Sequence, residues 1–367
     1  MESSILINGY NMINVTKTFL PPFDEYTAVL KRAWNISWIT NNGILVHELE
    51  QELKQFLHVP NLLFAANGTV VLQIALKALG ITKEVITTPF SYVATTNAIL
   101  WEGCKPVFVD IDNATLSIDA DKIEAAITAD TQAILATHVY GIPCNVEKIQ
   151  EIADKYKLKV IYDAAHAFGC VYKGKSLLSY GDISTCSFHA TKVFHTVEGG
   201  AIICNDEELN KKLFLLRSFG HMGDDYYSIG INGKNSEFHA AMGLVNLKHV
   251  QQILEQRKML SEYYTDKLLS LNITKPLLPD GLVYNYSYYP VIFATEIQLL
   301  KAINGLKKIS VNPRRYFYPS LNRLPFIKDQ TIMPISESVS SRVLCLPLYN
   351  DLAKKDIDLI CTQLLIQ

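Results

Sequence analysis

The sequence has almost no excess of charge of either sign, because 34 Lys and Arg residues face 36 Asp and Glu residues. This balance offers no broad basic surface, so we expect neither nucleic acid nor an anionic membrane as a partner. No uncharged apolar run reaches about 18 residues, which argues against a membrane-spanning helix. The seven cysteines form no C-x-x-C pair, which argues against a zinc site or a disulfide framework and favours reduced, mostly buried thiols.

Motifs for several other functions are also missing. No G-x-G-x-x-G dinucleotide fingerprint and no H-E-x-x-H metal motif occurs, so we expect no metal. No apolar run with a basic flank follows Glu2, so we expect no signal peptide and a cytoplasmic protein. What the chain does have is 367 residues and 49% hydrophobic residues, enough for about two globular domains.

Short apolar runs alternate with amphipathic ones between residues 62 and 163. The predicted strands are residues 62–66, 85–87, 106–110, 133–137 and 159–162. The clearest helix is predicted over residues 145–156, with Asn145 as its N-cap. Strands joined through helices predict an α/β fold, with a mostly parallel sheet sandwiched by helices and ligands at the carboxyl ends of its strands.

The pattern changes after about residue 205. We predict a charged helix over residues 206–218, an irregular glycine-rich loop over 220–234 and a long helix over 237–270. Strand-like pieces at 286–293 and 343–346 then mix with helices. These changes predict a large domain of residues 41–245, a smaller C-terminal α+β domain of residues 246–367 and an N-terminal segment, 1–40, that packs on both.

One motif points to a different function. Residues 169–176 match the phosphate-binding loop expression G-x4-G-K-S, which requires a strand before it and a helix after it. The following residues contain Gly181 and β-type side chains rather than a helix. We interpret the segment as a strand that turns at Gly174.

Three features remain where such a sheet would present a ligand. Gly68 and Thr69 begin a helical run after a strand, which suits a phosphate, although an Asn-Gly turn with a threonine cap would look the same. Asp163 closes an apolar strand and needs a cation, which could be a protonated pyridine, a metal, or an arginine, unless it is only a helix cap. Lys192 lies among small and apolar residues and is a candidate for Schiff-base chemistry, although most lysines are simply solvated.

The order of the three features strengthens their interpretation. Pyridoxal 5'-phosphate (PLP) needs an anion cradle, a carboxylate for its ring nitrogen and an amine for its aldehyde. The sequence supplies candidates for all three in this order.

Several longer motifs carry a resemblance to a known family. They are residues 67–69, 88–95, 163–169, 187–192, 198–200, 230–241, 315–319 and 344–349, with 15–22 and 38–43 near the N-terminus. Together they resemble the DegT-type sugar-nucleotide aminotransferases, which are PLP-dependent enzymes of fold type I. The similarity spans nearly the whole chain.

The resemblance implies roles for individual residues. Lys192 would bind the cofactor aldehyde and move protons between cofactor and sugar, and relatives that act as dehydratases carry histidine at this position. Asp163 would keep the ring nitrogen protonated, Tyr92 would stack on the ring, and His166 would lie near the ring oxygen.

The phosphate would be held by residues from two subunits. Gly68, Thr69 and Ser187 would bind it within one chain. Asn232 would reach it from the neighbouring subunit, so the resemblance implies a homodimer with shared active sites. Lys234 stands where many members have arginine.

The resemblance also implies the reaction. L-glutamate would load the cofactor and leave as 2-oxoglutarate, and dTDP-4-keto-6-deoxy-D-glucose would become dTDP-4-amino-4,6-dideoxy-D-glucose for a surface polysaccharide such as lipopolysaccharide O-antigen. The alternative is amination at C3 of a dTDP-3-keto-6-deoxyhexose. Arg315, Tyr316 and Tyr318 are candidates for binding the sugar or the diphosphate.

Overall fold

The computed structural model describes residues 12–366. The helices are α1 (Phe23–Asn35), α2 (Ile44–Leu57), α3 (Gly68–Ala78), α4 (Val93–Trp101), α5 (Val146–Tyr156), α6 (Glu207–Arg217), α7 (Glu237–Lys267), α8 (Glu296–Lys308), α9 (Pro334–Arg342) and α10 (Lys354–Leu365). The first strands are β1 (Ile13–Asn14), β2 (Asn61–Ala65), β3 (Glu84–Thr87), β4 (Lys105–Phe108), β5 (Thr131–Thr137), β6 (Lys159–Asp163), β7 (Val171–Tyr172), β8 (Lys175–Ser176), β9 (Ile183–Ser187) and β10 (Gly200–Cys204). The later strands are β11 (His221–Met222), β12 (Asp225–Tyr226), β13 (Ile273–Thr274), β14 (Leu282–Val283), β15 (Tyr289–Phe293), β16 (Val311–Asn312) and β17 (Val343–Leu346).

A seven-stranded sheet forms the centre of the larger part of the molecule. Its order is β2-β10-β9-β6-β5-β3-β4, and only β10 runs antiparallel to its neighbours. The five predicted strands are confirmed as β2 to β6, with ends that shift by at most two residues. The sequence analysis did not predict β9 and β10, since β9 reads Ile-Ser-Thr-Cys-Ser and lacks an aliphatic run.

Helices cover both faces of this sheet, as predicted. On one face, Leu49 of α2, Ile149 of α5 and Ala241 of α7 join the apolar core. On the other, Leu72 of α3 and Leu213 of α6 do the same. All five are buried, and each buried leucine or isoleucine contributes about 1.5–3 kcal/mol relative to an exposed one. The result is a sheet between two helical layers, with its strand ends left free for a site.

The predicted N-cap of α5 and the predicted long helix are both confirmed. The side chain of Asn145 accepts a hydrogen bond from the N–H of Lys148 at 3.2 Å. Helix α7 begins at Glu237 and ends at Lys267. Its first half packs in the core of the large sheet, whereas Leu260 and Tyr264 belong to a second core with β15, β17, α8 and α10. The predicted domain boundary between residues 245 and 246 therefore lies inside one continuous helix.

The second core is built on an antiparallel sheet of order β13-β15-β17. Strand β1 pairs with β16 beside this core, whereas α1 packs against α7. Strand β14, although it comes from the C-terminal region, pairs with β7. Residues 1–11 of the predicted N-terminal segment lie outside the described residues.

The segment that matches the phosphate-binding loop expression forms the hairpin of β7 and β8. The two strands pair across Gly174, whose φ of +76° suits glycine in a tight turn. The predicted turn is confirmed, and the lysine and serine of the motif lie on β8 rather than at the start of a helix.

All seven cysteines are buried and free. Between residues 12 and 366 no helix is long and apolar enough to cross a membrane.

Candidate active site

The three predicted features meet at one edge of the central sheet. Asp163 is the last residue of β6 and Ser187 is the last residue of β9. Gly68 is the first residue of α3, which follows β2. Strands β2, β6 and β9 run in the same direction, so their carboxyl ends lie together. This edge is where open α/β sheets bind ligands.

The start of α3 has the form of an anion cradle. The side chain of Asn67 accepts hydrogen bonds from the N–H groups of Thr69 (3.0 Å) and Val70 (2.9 Å) and so caps the first turn of the helix. A Cβ atom on Gly68 would lie 2.7 Å from the Cβ and 2.9 Å from the Oγ of Ser187. Glycine is therefore what allows the Ser187 hydroxyl to approach the helix N-terminus, where the helix dipole favours an anion.

Asp163 is a buried carboxylate, and the hydrogen bonds that it accepts do not fully offset the cost of its burial. The hydroxyl of Thr95 donates to its Oδ2 at 2.7 Å, and the N–H of Ala165 donates to its Oδ1 at 3.1 Å. Burial nevertheless raises the pKa of Asp163, against the effect of these two bonds and of the Lys192 charge. A buried carboxylate in this state is stabilised by a cation that arrives with a ligand. A protonated ring nitrogen fits this requirement.

Lys192 lies on the loop between β9 and β10 and lines a small pocket. Its N–H donates to the carbonyl of His189 at 2.9 Å. Burial lowers the pKa of the Lys192 amine, while Asp163, Tyr316 and Tyr92 raise it in part. A lowered pKa makes more of the free amine available as a nucleophile. The pocket is lined by Ala165, His166, Phe168, Thr191, Lys192, Val193, Asn285, Ser287 and Tyr288.

His166 faces the same pocket as a neutral imidazole. Its Nδ1 accepts a hydrogen bond from the N–H of Tyr140 at 3.1 Å, and burial lowers the pKa of His166 well below its ordinary value. The ring stacks on Phe317 at 5.7 Å and meets Tyr288 edge-on at 5.0 Å. Because Nδ1 accepts, the proton lies on Nε2. His166 therefore has one N–H donor to offer to a ligand.

Two predicted tyrosines also lie near Lys192. Tyr92 precedes α4 and is 58% exposed, and Tyr316 packs edge-on against Tyr288 at 5.5 Å. Both raise the pKa of Lys192. Burial raises the pKa of Tyr316 in turn, so its hydroxyl stays protonated near neutral pH.

The structure does not bring three other predicted residues into contact with this group. Arg315 donates to the Glu296 carboxylate and to the Ser341 carbonyl, both at 2.9 Å, and its guanidinium lies 3.5 Å from the Tyr318 ring centroid. Asn232 is exposed and bridges to Ser218. Their assignment to a ligand stays a prediction, and in this chain Arg315 and Tyr318 pack against each other.

Sequence reasoning missed several residues that shape the site. Thr95 follows Ser91 by four residues, and the two hydroxyls are 2.8 Å apart. This spacing of hydroxyl residues around the start of α4 could have predicted a buried polar contact there. Three aromatic residues from distant segments surround His166: Tyr140, Tyr288 and Phe317. No local sequence pattern predicts these contacts. In the described part of the chain, no group of three or more His, Cys, Asp or Glu residues could hold a metal ion.

A helix start beside a serine, a buried carboxylate and a half-buried lysine at one edge of such a sheet define the class of fold type I PLP-dependent enzymes. Solved structures share the fold. DesI, solved with its TDP-sugar product, is 31% identical with a TM-score of 0.92, and the alignment covers 97% of this chain and 92% of DesI. PseC from Helicobacter pylori, an aminotransferase of pseudoaminic acid biosynthesis, is 27% identical with a TM-score of 0.89, covering 97% and 99% of the two chains.

The particular family follows from the sequence comparison. The chain belongs to the DegT/DnrJ/EryC1/StrS aminotransferase family, whose profile matches residues 24–365. It is 42% identical to a dTDP-4-amino-4,6-dideoxy-D-glucose transaminase of Shigella dysenteriae, over 95% of this chain and 97% of that protein. A transaminase of the same name from Escherichia coli is also 42% identical, over 96% and 98% of the two chains. The chain is thus an aminotransferase with the predicted fold.

Proposed function

We propose that the protein transfers the amino group of L-glutamate to C4 of dTDP-4-keto-6-deoxy-D-glucose with PLP as cofactor. The products are 2-oxoglutarate and dTDP-4-amino-4,6-dideoxy-D-glucose. The observation that carries the proposal is the half-buried Lys192 amine, whose charge acts on the buried Asp163 carboxylate at the sheet edge. The two 42% identical transaminases are named for the C4-amino sugar, which favours C4 over C3.

The residues present fit PLP. When bound, the cofactor supplies an electron sink that stabilises negative charge on the substrate carbon. Asp163 would hold the proton on the ring nitrogen, which would offset the cost of its own burial. Lys192 would hold the cofactor through its amine, and the same amine would hold and move a proton at the reacting carbons.

Other residues orient the cofactor. Gly68, Thr69 and Ser187 would receive the phosphate at the start of α3, where the helix dipole favours an anion and the Ser187 hydroxyl lies close to Gly68. Tyr92 would stack on the cofactor ring. His166 would donate its Nε2–H to the ring oxygen, since its Nδ1 already accepts from the Tyr140 N–H. Arg315, Tyr316 and Tyr318 stay candidates for the sugar nucleotide.

We further propose a homodimer in which Asn232 of each chain completes the phosphate site of the other. Large apolar side chains just before Asn232 support this arrangement; Tyr226 and Ile229 are 79% and 81% exposed. A partner surface would cover such a concentration of exposed apolar groups. The proposed location is the cytoplasm, which the free, buried thiols support.

The first experiment tests the cofactor chemistry. Purified protein incubated with PLP should show an absorbance band near ~400 nm, and borohydride should then fix the cofactor to the peptide that contains Lys192. Lys192→Ala should lose both signals. Lys175→Ala, which changes an exposed lysine of the discarded phosphate-loop motif, is the matched control and should keep both. A colourless wild-type protein that takes up no PLP contradicts the proposal.

The second experiment tests the substrate. With ¹⁵N-glutamate, the label should appear in the sugar nucleotide when the 4-keto sugar is supplied and not when the 3-keto isomer is supplied. Mass spectrometry of the product measures this directly. Labelling of only the 3-keto substrate would move the assignment to C3.

A further inference from the structure

A buried histidine outside the described pocket is built into the loop that carries Lys192. His195 follows Lys192 by three residues and is 1% exposed. Its Nε2 lies 2.6 Å from the carbonyl oxygen of Phe19, and its Nδ1 accepts the N–H of Val197 at 3.1 Å. A carbonyl can only accept and an N–H can only donate, so the ring is neutral with its proton on Nε2.

The main chain of His195 is held as well. Asn246 of α7 donates through its side-chain amide to the His195 carbonyl at 2.9 Å. One residue thus connects the N-terminal segment, the Lys192 loop and α7. Burial lowers the pKa of His195, which agrees with a ring that stays neutral.

The loop needs this support, because its backbone is strained beside the histidine. Val197 has a φ of +70°, a region that β-branched residues rarely adopt. The Val197 N–H is bonded to the His195 ring, and Thr196 donates its N–H to the Phe188 carbonyl at 2.9 Å. Such conformations persist only where surrounding contacts hold them, and they concentrate at functional sites.

We propose that His195 is a positioning residue for Lys192. Its neutral ring ties the loop to the Phe19 carbonyl and fixes the Val197 backbone, so that the Lys192 amine stays beside Asp163. The proposal rests on the proposed function, because positioning matters only if Lys192 holds the cofactor. A shift of about 1 Å in such a group can lower a rate about 100-fold.

The test compares two replacements of the ring. His195→Phe keeps the bulk and loses both hydrogen bonds, whereas His195→Gln can still donate to one group and accept from the other. We expect His195→Phe to weaken PLP binding and to lower kcat by about 100-fold with a smaller change in KM. We expect His195→Gln to recover much of the PLP affinity and much of the kcat.

Amide hydrogen exchange of the cofactor-free protein gives a readout that needs no activity. In His195→Phe, the peptide over residues 188–199 should exchange faster than in the wild type. His249→Phe is the matched control, because His249 packs against the Phe19 ring at 5.4 Å and reaches Glu25 without bonding to the Lys192 loop. It should leave exchange of this peptide, PLP binding and kcat unchanged.

The outcomes separate this inference from the proposed function. If the wild type binds no PLP, the proposed function fails, and loop exchange still tests whether His195 holds the loop. If the wild type binds PLP and His195→Phe matches it in loop exchange and PLP affinity, the inference is overturned. Should His195→Phe fail to fold, His195→Leu, which also loses both ring hydrogen bonds, must produce the same two changes, and unchanged values there overturn the inference equally.

Discussion

Replacing Gly68 by alanine should push the first turn of α3 away from the end of β9. The new Cβ would lie 2.7 Å from the Ser187 Cβ, 2.9 Å from its Oγ and 3.2 Å from its Cα. Carbon atoms in good contact are about 3.5–4.0 Å apart, so the shortest of these distances is too small by about 1 Å. One of the three contacts is to backbone, so a rotamer change of Ser187 cannot relieve them all.

The size of the effect follows from two opposing terms. Overpacking of a close contact costs about 1–3 kcal/mol. Alanine is favoured over glycine within a helix by at most about 1 kcal/mol, and by less at the first helical position. We therefore expect the free energy of unfolding to fall by about 1–2 kcal/mol. The displaced cradle should also weaken PLP binding about tenfold, which corresponds to about 1.4 kcal/mol.

The assay is a double-mutant cycle between Gly68→Ala and Ser187→Gly. Urea unfolding of the cofactor-free protein gives the stability of each variant, and absorbance titration gives its PLP affinity. Ser187→Gly removes the Cβ and Oγ that the alanine meets, so the double mutant should recover most of the lost stability, with a coupling energy of at least about 0.5 kcal/mol. Full recovery of PLP affinity is not expected, since the hydroxyl is gone.

The reasoning fails if Gly68→Ala is as stable as the wild type and binds PLP equally well. It also fails if the two substitutions are additive in stability. In either case, the contact between Gly68 and Ser187 would not be what shapes the cradle.

Two further predictions concern buried groups outside the pocket. Burial lowers the pKa of His138 to about 3, below its ordinary 6.5. The buried neutral ring therefore costs no stability above pH 6.5, and the free energy of unfolding decreases as the pH falls from 6.5 toward 3, because only the unfolded chain takes up the proton. At pH 5 the loss is about 2 kcal/mol, and urea unfolding of His138→Gln, which keeps an acceptor for the Cys144 N–H, should show a shallower acid slope; an identical slope contradicts this. Glu237 accepts the N–H groups of Gly43 (3.0 Å) and Val46 (3.4 Å) at the start of α2, so Glu237→Gln should lower the free energy of unfolding by about 1–3 kcal/mol, and no change would show that these bonds do not stabilise the helix.

Much of the fold followed from the sequence because its signals are local. Aliphatic runs separated by amphipathic ones predicted β2 to β6 and a parallel sheet, and the ends of such strands necessarily share one edge. Asp163 and Gly68 could therefore be placed together from the sequence. Lys192 joined them through the family resemblance and the order of the motifs.

Other parts could not be predicted, for physical reasons. Apart from Ile183, strand β9 is made of hydroxyl and sulfhydryl residues, and it is a strand because its neighbours on both sides supply hydrogen bonds. The division into domains at residues 245 and 246 stays a prediction, because α7 runs through this point and packs in both cores. Arg315 resembles a ligand-binding residue, yet Glu296 and the Ser341 carbonyl hold it in the structure.

The sequence by itself determined the first five strands of the central sheet, the family and the three main chemical groups of the site. It could not determine the protonation preferences of those groups. Burial lowers the pKa of Lys192 and raises that of Asp163, and the pocket around Lys192 includes Tyr288, which lies far away in the chain. Only the tertiary structure decided these protonation preferences, because desolvation arises when distant segments pack together. For the same reason it alone decided the contact between Gly68 and Ser187 and the neutral state of the His195 ring.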